Sequence, residues 1–280
     1  MNRQLGGSTE RQGGEVKKVG ARISGRSSRI IGRKIFRYVR VTSTQDKAKK
    51  FAQKGLAEGT VVIAEIQTQG KGRLGRRWVS PKGGIWLSVI LRPEITPMEV
   101  PKITMIGSLA VAKAIAELTR IEVKLKWPND VLIRHIPGIE FKKVCGILTE
   151  MVSGVSQVNY VVTGLGINVN NRIPPALRAT AISLKDVIGR NLPRQKLLKK
   201  VLEKFDKYYL DFRKQEMGPI LKECKGISAV LGKEVKIECP DGIIEGKALD
   251  IDEYGALIVE TEKGKKRVVA GDVKILSKIL

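Results

Sequence analysis

The chain has 280 residues, of which 42% are hydrophobic and 29% charged, a composition typical of globular proteins with one large domain and a small one. It has no apolar run of about 18 residues and no secretory signal, which argues against a membrane or secreted protein. The 52 basic and 28 acidic residues give a net charge of +24. Such an excess attracts nucleotides, nucleic acids and acidic proteins alike, or reflects only a solvated lysine-rich surface.

The three cysteines, Cys145, Cys224 and Cys239, are odd in number and have no C-x-x-C spacing. This argues against a disulfide framework and against a zinc site. We therefore expect a cytoplasmic protein with reduced thiols.

The first predicted segment is a flexible basic arm over residues 1–34, rich in Gly, Ser, Lys and Arg. The arm is too short for a winged-helix domain, which needs about 60 residues to bury a core. Order is expected to begin with the strand "KIFRYVRV". Ser43 or Thr44 then caps a helix whose apolar face extends to Leu56.

The next elements predict a catalytic domain over 35–226 and a small β domain over 227–280. Strands are predicted at "TVVIAEIQ", "GGIWLSVILRP", "VKLKW", "VLI", "KVCGILTEM" and "NYVVTGLGINVN". A long helix begins near Pro101, another covers about 193–216, and a hinge is expected over 218–227. The last segments are short strands with turns at "PDG" and "EKGKK", which indicates a small β-barrel-like domain.

The stretch "TQGKGRLGRRWVSP" (68–81) contains the spacing G-x-G-x-x-G of dinucleotide-binding turns. Such a turn must open a helix, but Trp78 and Pro81 break any helix here, and the G-K-[S/T] of a phosphate-binding P-loop is missing. Its cations instead predict an anion clamp in a hairpin loop. The alternative is a solvated basic hairpin.

Three further motifs are ambiguous when each is taken alone. "KWPND" (126–130) is either a binding turn or a tight turn with a buried Trp. "KKVCGIL" (142–148) places Lys143 at the end of an apolar strand, as an electrostatic catalyst or a solvated strand end. "GLGIN" (164–168) ends a strand and is compatible with ordinary turn chemistry.

Read together and in order, STQ (43–45), QTQGKGRLGRRW (67–78), KWPND, KVCGIL (143–148) and GLGIN resemble the biotin protein ligase family. The resemblance spans about residues 35–280. It implies an α/β (α+β) fold, with a mixed-sheet biotin/lipoate-ligase-like catalytic domain and an SH3-like C-terminal β-barrel. It also implies an enzyme that converts biotin and ATP to biotinyl-5'-adenylate and transfers biotin to a lysine of a biotin carboxyl carrier protein.

The resemblance assigns roles to particular side chains. Lys143 would hold the biotin carboxylate against the α-phosphate, Arg73 would contact anionic oxygens, and Asp130 would orient or deprotonate the acceptor lysine. The implied biotin-binding residues are Ser43, Thr44, Gln45, Gln67, Lys71, Gly72, Arg73, Lys143 and Gly146, together with the strand "GGIWLS". The implied ATP-binding residues are Arg73, Arg76, Trp78, Lys126, Asn129 and Asn168.

The resemblance further implies Mg²⁺ bound with ATP and a possible homodimer. From the composition and the motifs we expect no resident metal site and no membrane, and from the short arm no sequence-specific nucleic acid. This chain departs from the family pattern at Lys71, which replaces an arginine, and at Gln45, which replaces an asparagine. The segment 134–141 looks like an insertion beside Lys143, and we interpret Cys145 as a packing residue.

Two competing interpretations remain. A lipoate ligase has similar chemistry, but its R-R-x-x-G-G-G-x-V-x-H pattern is missing and the single histidine, His135, lies in a predicted loop. A basic nucleic-acid-binding repressor would need a folded domain ahead of residue 35. Sequence-specific DNA retention at moderate salt distinguishes this second alternative.

Overall fold

The computed structural model describes residues 16–17, 29–134, 140–154 and 156–276. Its larger sheet has eight strands in the order β1-β2-β3-β4-β8-β7-β6-β5. Only β2 and β3 run parallel, while the other neighbouring pairs are antiparallel. The strands are β1 (Val16–Lys17), β2 (Ile35–Val41), β3 (Val61–Gln67), β4 (Ile85–Leu91), β5 (Val123–Lys126), β6 (Asp130–Arg134), β7 (Phe141–Ser153) and β8 (Val158–Ile167). The mixed sheet predicted for the catalytic domain is thereby confirmed.

Helices cover both faces of this sheet, because its strands carry apolar residues on both sides. In β3, Val61 and Ile63 belong to the larger core, while the alternate residues Val62 and Ala64 belong to a smaller one. Helix α1 packs over the smaller core, and α2, α4 and α5 pack over the larger. The helices are α1 (Thr44–Gln53), α2 (Val100–Thr119), α3 (Leu184–Ile188), α4 (Arg194–Arg213) and α5 (Met217–Gly226).

Two sequence-based boundaries differ from the structure. Helix α1 ends at Gln53 instead of continuing to Leu56, because Gly55 adopts a left-handed conformation (φ 76°) that stops the helix. The hinge expected over 218–227 is instead helix α5, whose Ile220 and Cys224 lie one turn apart and are both 2% exposed. Their burial against α2 and α4 stabilises a segment that looked flexible in isolation.

Packed structure begins before the end of the predicted N-terminal arm. Ile31 is fully buried, and the backbone N–H groups of Ile30 and Ile31 donate hydrogen bonds of 2.8 and 2.6 Å to Asp206 Oδ1 on α4. Residues 29–34 are therefore part of the folded protein and not of the flexible arm predicted over 1–34. Apart from β1, its remaining residues lie outside the described part of the chain, as do residues 135–139 of the predicted insertion.

The C-terminal residues form a second, five-stranded antiparallel sheet in the order β12-β11-β10-β9-β13. Its strands are β9 (Glu234–Cys239), β10 (Gly242–Ile251), β11 (Leu257–Thr261), β12 (Gly264–Val268) and β13 (Asp272–Ile275). The indole Nε1 of Trp127, in the "KWPND" turn, donates a 2.9 Å hydrogen bond to the Gly255 carbonyl of this sheet. The predicted short β segments are confirmed, and β13 begins beside the β3–β4 loop of the larger sheet.

Candidate active site

A cavity of about 340 Å³ lies where the β3–β4 loop, the "KWPND" turn, β7, β8 and the start of β13 meet. All but one of the residues predicted for the site line it: Ser43, Thr44, Gln45, Gln67, Lys71, Gly72, Arg73, Arg76, Trp78, Asn129, Asp130, Lys143, Gly146 and Asn168. The exception is Lys126, which borders a separate cavity of about 30 Å³ behind the turn. The structure therefore gathers motifs that are far apart in the sequence.

One end of the cavity is a buried network of neutral hydrogen-bonding groups. Gln67 Oε1 accepts from the Thr44 N–H at 2.8 Å and from Thr44 Oγ1 at 2.9 Å. Thr44 Oγ1 lies 2.9 Å from Ser88 Oγ, and Gln67 Nε2 donates to Ser80 Oγ at 2.8 Å. Because each member is oriented by another, this end presents donors and acceptors in fixed positions. Ser88 lies on the predicted strand "GGIWLS", but Ser80 was missed.

Gln45 forms the floor of the same end. Its Nε2 donates to the Val162 carbonyl at 2.9 Å, and its Oε1 accepts from Ser88 Oγ at 3.0 Å. A Cβ atom at Gly164 would lie 2.7 Å from Gln45 Oε1. The first glycine of "GLGIN" therefore makes room for an amide one methylene longer than the family's asparagine.

The glycine loop forms the cationic rim of the cavity. It joins the antiparallel strands β3 and β4 and contains only one short 3₁₀ turn, Arg73–Gly75, so the rejection of a dinucleotide-binding turn is confirmed. Leu74 has a φ of 53° and is 67% exposed at the tip of the loop. Lys71 forms a 2.6 Å ion pair with Asp46, and Arg77 donates to the Thr68 carbonyl at 3.1 Å.

Arg73 points inward and joins three parts of the chain. Its guanidinium donates to Asn129 Oδ1 at 3.0 Å, to the Gly271 carbonyl at 3.3 Å and to Asp272 Oδ1 at 3.5 Å. Burial lowers the pKa of Arg73, whereas the carboxylates of Asp272 and Asp130 raise it. Asn129 is held in turn, because its Nδ2 donates to the Ile147 carbonyl at 2.9 Å.

Trp78 forms one wall of the cavity and also packs into the protein. Its ring lies edge-on to Trp86, with centroids 6.5 Å apart. A Cβ atom at Gly166 would lie 2.4 Å from Trp78 Nε1, so the second glycine of "GLGIN" is the surface on which the indole rests. Trp78 is therefore a half-buried residue that lines the cavity and packs against β8 and Trp86.

A β-bulge aims Lys143 into the cavity. Val131 pairs with Cys145 while the next residue of β6, Leu132, pairs with Lys143, so β7 carries one extra residue, Val144, at this point. Val144 and Cys145 both turn into the core and are fully buried, while Lys143 and Gly146 both line the cavity. Bulges next to functional sites commonly redirect a side chain in this way.

The ammonium group of Lys143 has two partners. It lies 2.6 Å from Asp130 Oδ1, with side-chain exposures of 29% and 20%, and 5.2 Å from the centroid of the Trp78 ring. The parallel bridge between Lys143 and Ala181 also fixes the backbone, since the Lys143 N–H donates to the Thr180 carbonyl at 2.9 Å. Lys143 is therefore a partly desolvated cation in a fixed position.

Asn168 is 5% exposed and is oriented by a residue that sequence reasoning missed. Its Oδ1 accepts a 3.0 Å hydrogen bond from Asn171 Nδ2, and Asn171 is 4% exposed. This bond leaves the Asn168 amide NH₂ as its free donor toward the cavity.

The other missed lining residues that lie away from the motifs are Ile173, Pro174, Leu177, Thr180, Ala181 and Asp272. Most of them belong to the segment "RIPPALRATA" (172–181), whose apolar residues directly after "GLGIN" were a usable signal. No sequence signal marked Asp272, because it lies almost 200 residues along the chain from the loop it contacts.

Two other kinds of chemistry, thiol reactivity and metal binding, depend on the cysteines and the acidic side chains. Burial raises the pKa of Cys145, and it raises the pKa of Cys224 to about 12, which fits the interpretation of Cys145 as packing. Within the described ranges, no group of three or more His, Cys, Asp and Glu side chains could hold a metal ion.

No helix in the same ranges is long and apolar enough to cross a membrane.

Comparison with known proteins points to one family. The profile of the Biotin/lipoate A/B protein ligase family matches residues 37–168, and that of the Biotin protein ligase C terminal domain matches 230–276. The chain is 35% identical over 255 residues to the bifunctional ligase/repressor BirA of Bacillus subtilis, covering 90% of this chain and 77% of that protein. It is 32% identical over 222 residues to the biotin–[acetyl-CoA-carboxylase] ligase of Mycobacterium tuberculosis, covering 77% and 79% of the two chains.

Solved structures agree with this assignment. The biotin protein ligase from Aquifex aeolicus in complex with biotin and ATP superposes with a TM-score of 0.74 at 31% identity, covering 87% of this chain and 99% of that one. Fold, motif order and sequence identity thus converge, and the chain belongs to the biotin protein ligase family.

Proposed function

We propose that this protein activates biotin with ATP and transfers it to a lysine of a biotin carboxyl carrier protein. The observation that carries the proposal is the division of the cavity into a neutral hydrogen-bonding end and a cationic rim. Five cations and two carboxylates line the cavity, so an anionic ligand is favoured. The biotin ureido ring needs fixed donors and acceptors, which Thr44, Gln67 and Ser88 supply.

In the first step, a carboxylate oxygen of biotin attacks the α-phosphorus of ATP, and the bond to pyrophosphate breaks. The products are biotinyl-5'-adenylate and pyrophosphate. Two anions must approach each other in this step, and Lys143 is the cation placed between the neutral end and the rim. It holds both groups in reacting distance and stabilises the negative charge that develops on the phosphoryl oxygens.

The nucleotide would occupy the rim. Arg73 and Arg76 present guanidinium groups to phosphate oxygens, and Lys71 supplies a point charge where the family usually has an arginine. Trp78 together with Ile173 and Leu177 forms an apolar surface for the adenine, and the Asn168 amide donates beside it. A loop lying over the site also keeps water from the mixed anhydride.

Some predicted partners of the reaction stay predictions. Mg²⁺ bound with ATP would neutralise phosphate charge, and the oxygens of Asn129 and Asp130, which line the cavity, could contact it. The homodimer, the cytoplasmic location and the lack of sequence-specific DNA binding also stay predictions. The expected contribution of Lys126 to nucleotide binding has no support from its position behind the turn.

Biotin-dependent ATP–pyrophosphate exchange tests the proposed function, with lipoate as the parallel substrate. We expect exchange with biotin and none with lipoate, because the neutral end offers a hydrogen-bonding network that the dithiolane ring of lipoate cannot use. Exchange with lipoate alone would show that the family's other substrate class is the correct one. A lack of exchange with either acid would refute adenylation.

Asp130→Asn is expected to slow the second half-reaction, in which the acceptor lysine amine attacks the biotinyl carbonyl and releases AMP. In this role the Asp130 carboxylate takes the proton that the acceptor lysine loses before its amine attacks, so transfer from preformed biotinyl-adenylate should fall about 10²-fold. Single-turnover transfer to a carrier domain, measured against pH, provides the readout. Pyrophosphate exchange by the same variant is measured in parallel, and transfer should fall more than exchange, which loses only the 2.6 Å partner of Lys143. Transfer at the full rate would remove Asp130 from this role.

A further inference from the structure

The carboxylate of Asp272 reaches the glycine loop from the second sheet. Asp272 is the first residue of β13 and lines the cavity. Its Oδ2 forms an ion pair with Arg76, its Oδ1 lies 3.5 Å from Arg73, and the adjacent Gly271 carbonyl accepts from both terminal nitrogens of Arg73 at 3.3 and 3.4 Å. One strand end of the small sheet therefore binds both arginines of the loop.

The electrostatics of this contact require an acid. Arg73 and Arg76 belong to the same short loop and repel each other, and Asp272 lies between them. Arg73 and Asp272 are only 21% and 23% exposed, so water screens their attraction less than that of an ordinary surface pair. Without the carboxylate, two cations would face each other beside Lys143.

The position of Asp272 does not depend on the loop. The small sheet is held to the rest of the protein by the hydrogen bond from Trp127, in the turn between β5 and β6, to the Gly255 carbonyl, and by the 2.6 Å ion pair of Lys225 on α5 with Asp250. The loop, in contrast, has an exposed tip. Its backbone hydrogen bonds, such as that from the Gly72 N–H to the Arg76 carbonyl at 2.7 Å, join its own two sides, and its arginine side chains join it to the small sheet. Asp272 is thus the anchor, and the arginines are the groups that it positions.

We infer that Asp272 is a positioning residue for ATP: it holds Arg73 and Arg76 at the spacing that binds the phosphates. This inference rests on the proposed function and extends it, because it makes the C-terminal sheet part of the nucleotide site. A phosphate group resembles a carboxylate in charge and in its oxygen acceptors. Arginines already spaced around Asp272 therefore need little reorganisation when phosphate oxygens arrive beside it.

The test compares Asp272→Asn with the unmodified protein in biotin-dependent exchange. We expect KM for ATP to rise about tenfold while KM for biotin changes less than about twofold, because only the rim is disturbed. Glu245→Gln is the matched control, since Glu245 pairs with Lys236 at 2.7 Å in the same sheet but contacts no loop residue. Asp272→Glu should recover part of the affinity for ATP. If Asp272→Asn does not fold, the test rests on Asp272→Glu, whose KM for ATP should rise about two- to threefold.

Hydrogen–deuterium exchange of peptides spanning 70–77, without added ligands, gives a readout that does not need activity. Asp272→Asn should speed deuterium uptake in these peptides and leave the core strands unchanged. An unchanged KM for ATP with unchanged uptake would overturn the inference. A lowered KM would also overturn it, because the carboxylate would then be competing with ATP. If the unmodified protein shows no biotin-dependent exchange, the proposed function fails, and deuterium uptake still decides whether Asp272 holds the loop.

Discussion

Lys143→Ala is expected to lower kcat/KM for biotin-dependent pyrophosphate exchange by about 10²–10³-fold. The ammonium group is the cation that the bulge in β7 aims between the neutral end and the rim of the cavity. Removing it leaves the carboxylate of biotin facing the phosphates without a cation between them. It also leaves Asp130, 2.6 Å away in the structure, as an uncompensated anion in the cavity.

The double variant Lys143→Ala/Asp130→Asn separates the effect of losing the Lys143 cation from the effect of leaving the Asp130 carboxylate unpaired. It should recover part of the loss, because the unpaired carboxylate no longer repels the substrates. Lys142→Ala is the matched control; its Nζ donates only to the Arg178 carbonyl at 3.0 Å, outside the cavity. Exchange by Lys143→Ala within about threefold of the unmodified rate would contradict the catalytic role.

Gly166→Ala is expected to lower kcat/KM for the same reaction by at least about tenfold and the free energy of unfolding by roughly 1–3 kcal/mol. A methyl group there would lie 2.4 Å from Trp78 Nε1 and 2.6 Å from Cε2, so the rigid indole must move. A displaced ring enters the cavity and leaves the position 5.2 Å from the Lys143 ammonium group. Gly166→Ala should therefore weaken nucleotide binding and displace Lys143 at the same time.

Exchange kinetics and urea unfolding of the same preparation measure the two effects. Gly226→Ala, in the last turn of α5, is the matched control because a Cβ atom there meets nothing within 4 Å. We expect that control to keep full activity and to be slightly more stable, as alanine favours a helix. Unchanged kinetics in Gly166→Ala would show that the position of the Trp78 ring does not matter for the reaction.

Much of the fold follows from local patterns in the sequence. β3 and β4 are predicted because short apolar runs flank a loop in which no helix can form, and the structure joins them as an antiparallel hairpin. Ser43 caps α1 as predicted, since its hydroxyl accepts from the Gln45 and Asp46 N–H groups. The predictions fail where tertiary contacts stabilise a weak local pattern, as in α5, or where a single backbone conformation ends a helix, as at Gly55.

The sequence by itself determined the motifs that form the site, because five short stretches that are ambiguous singly resemble the biotin protein ligase family when read in order. These motifs assign Thr44, Gln67, Lys143 and Asn168 to one reaction, and the structure gathers the four residues around one cavity. Lys126 shows the limit of this reasoning. It belongs to the same motif as Asn129, yet it faces the other side of the turn.

Only the tertiary structure decided two features on which the chemistry depends. The bulge at Val144 places Lys143 and Gly146 on the same side of β7, and it exists only because β6 pairs with β7 in that register. Asp272 meets Arg73 although 199 positions separate them, and no local pattern marks it. Strand register and contacts between sheets arise from packing the whole chain, so a pattern confined to a few neighbouring residues cannot encode them.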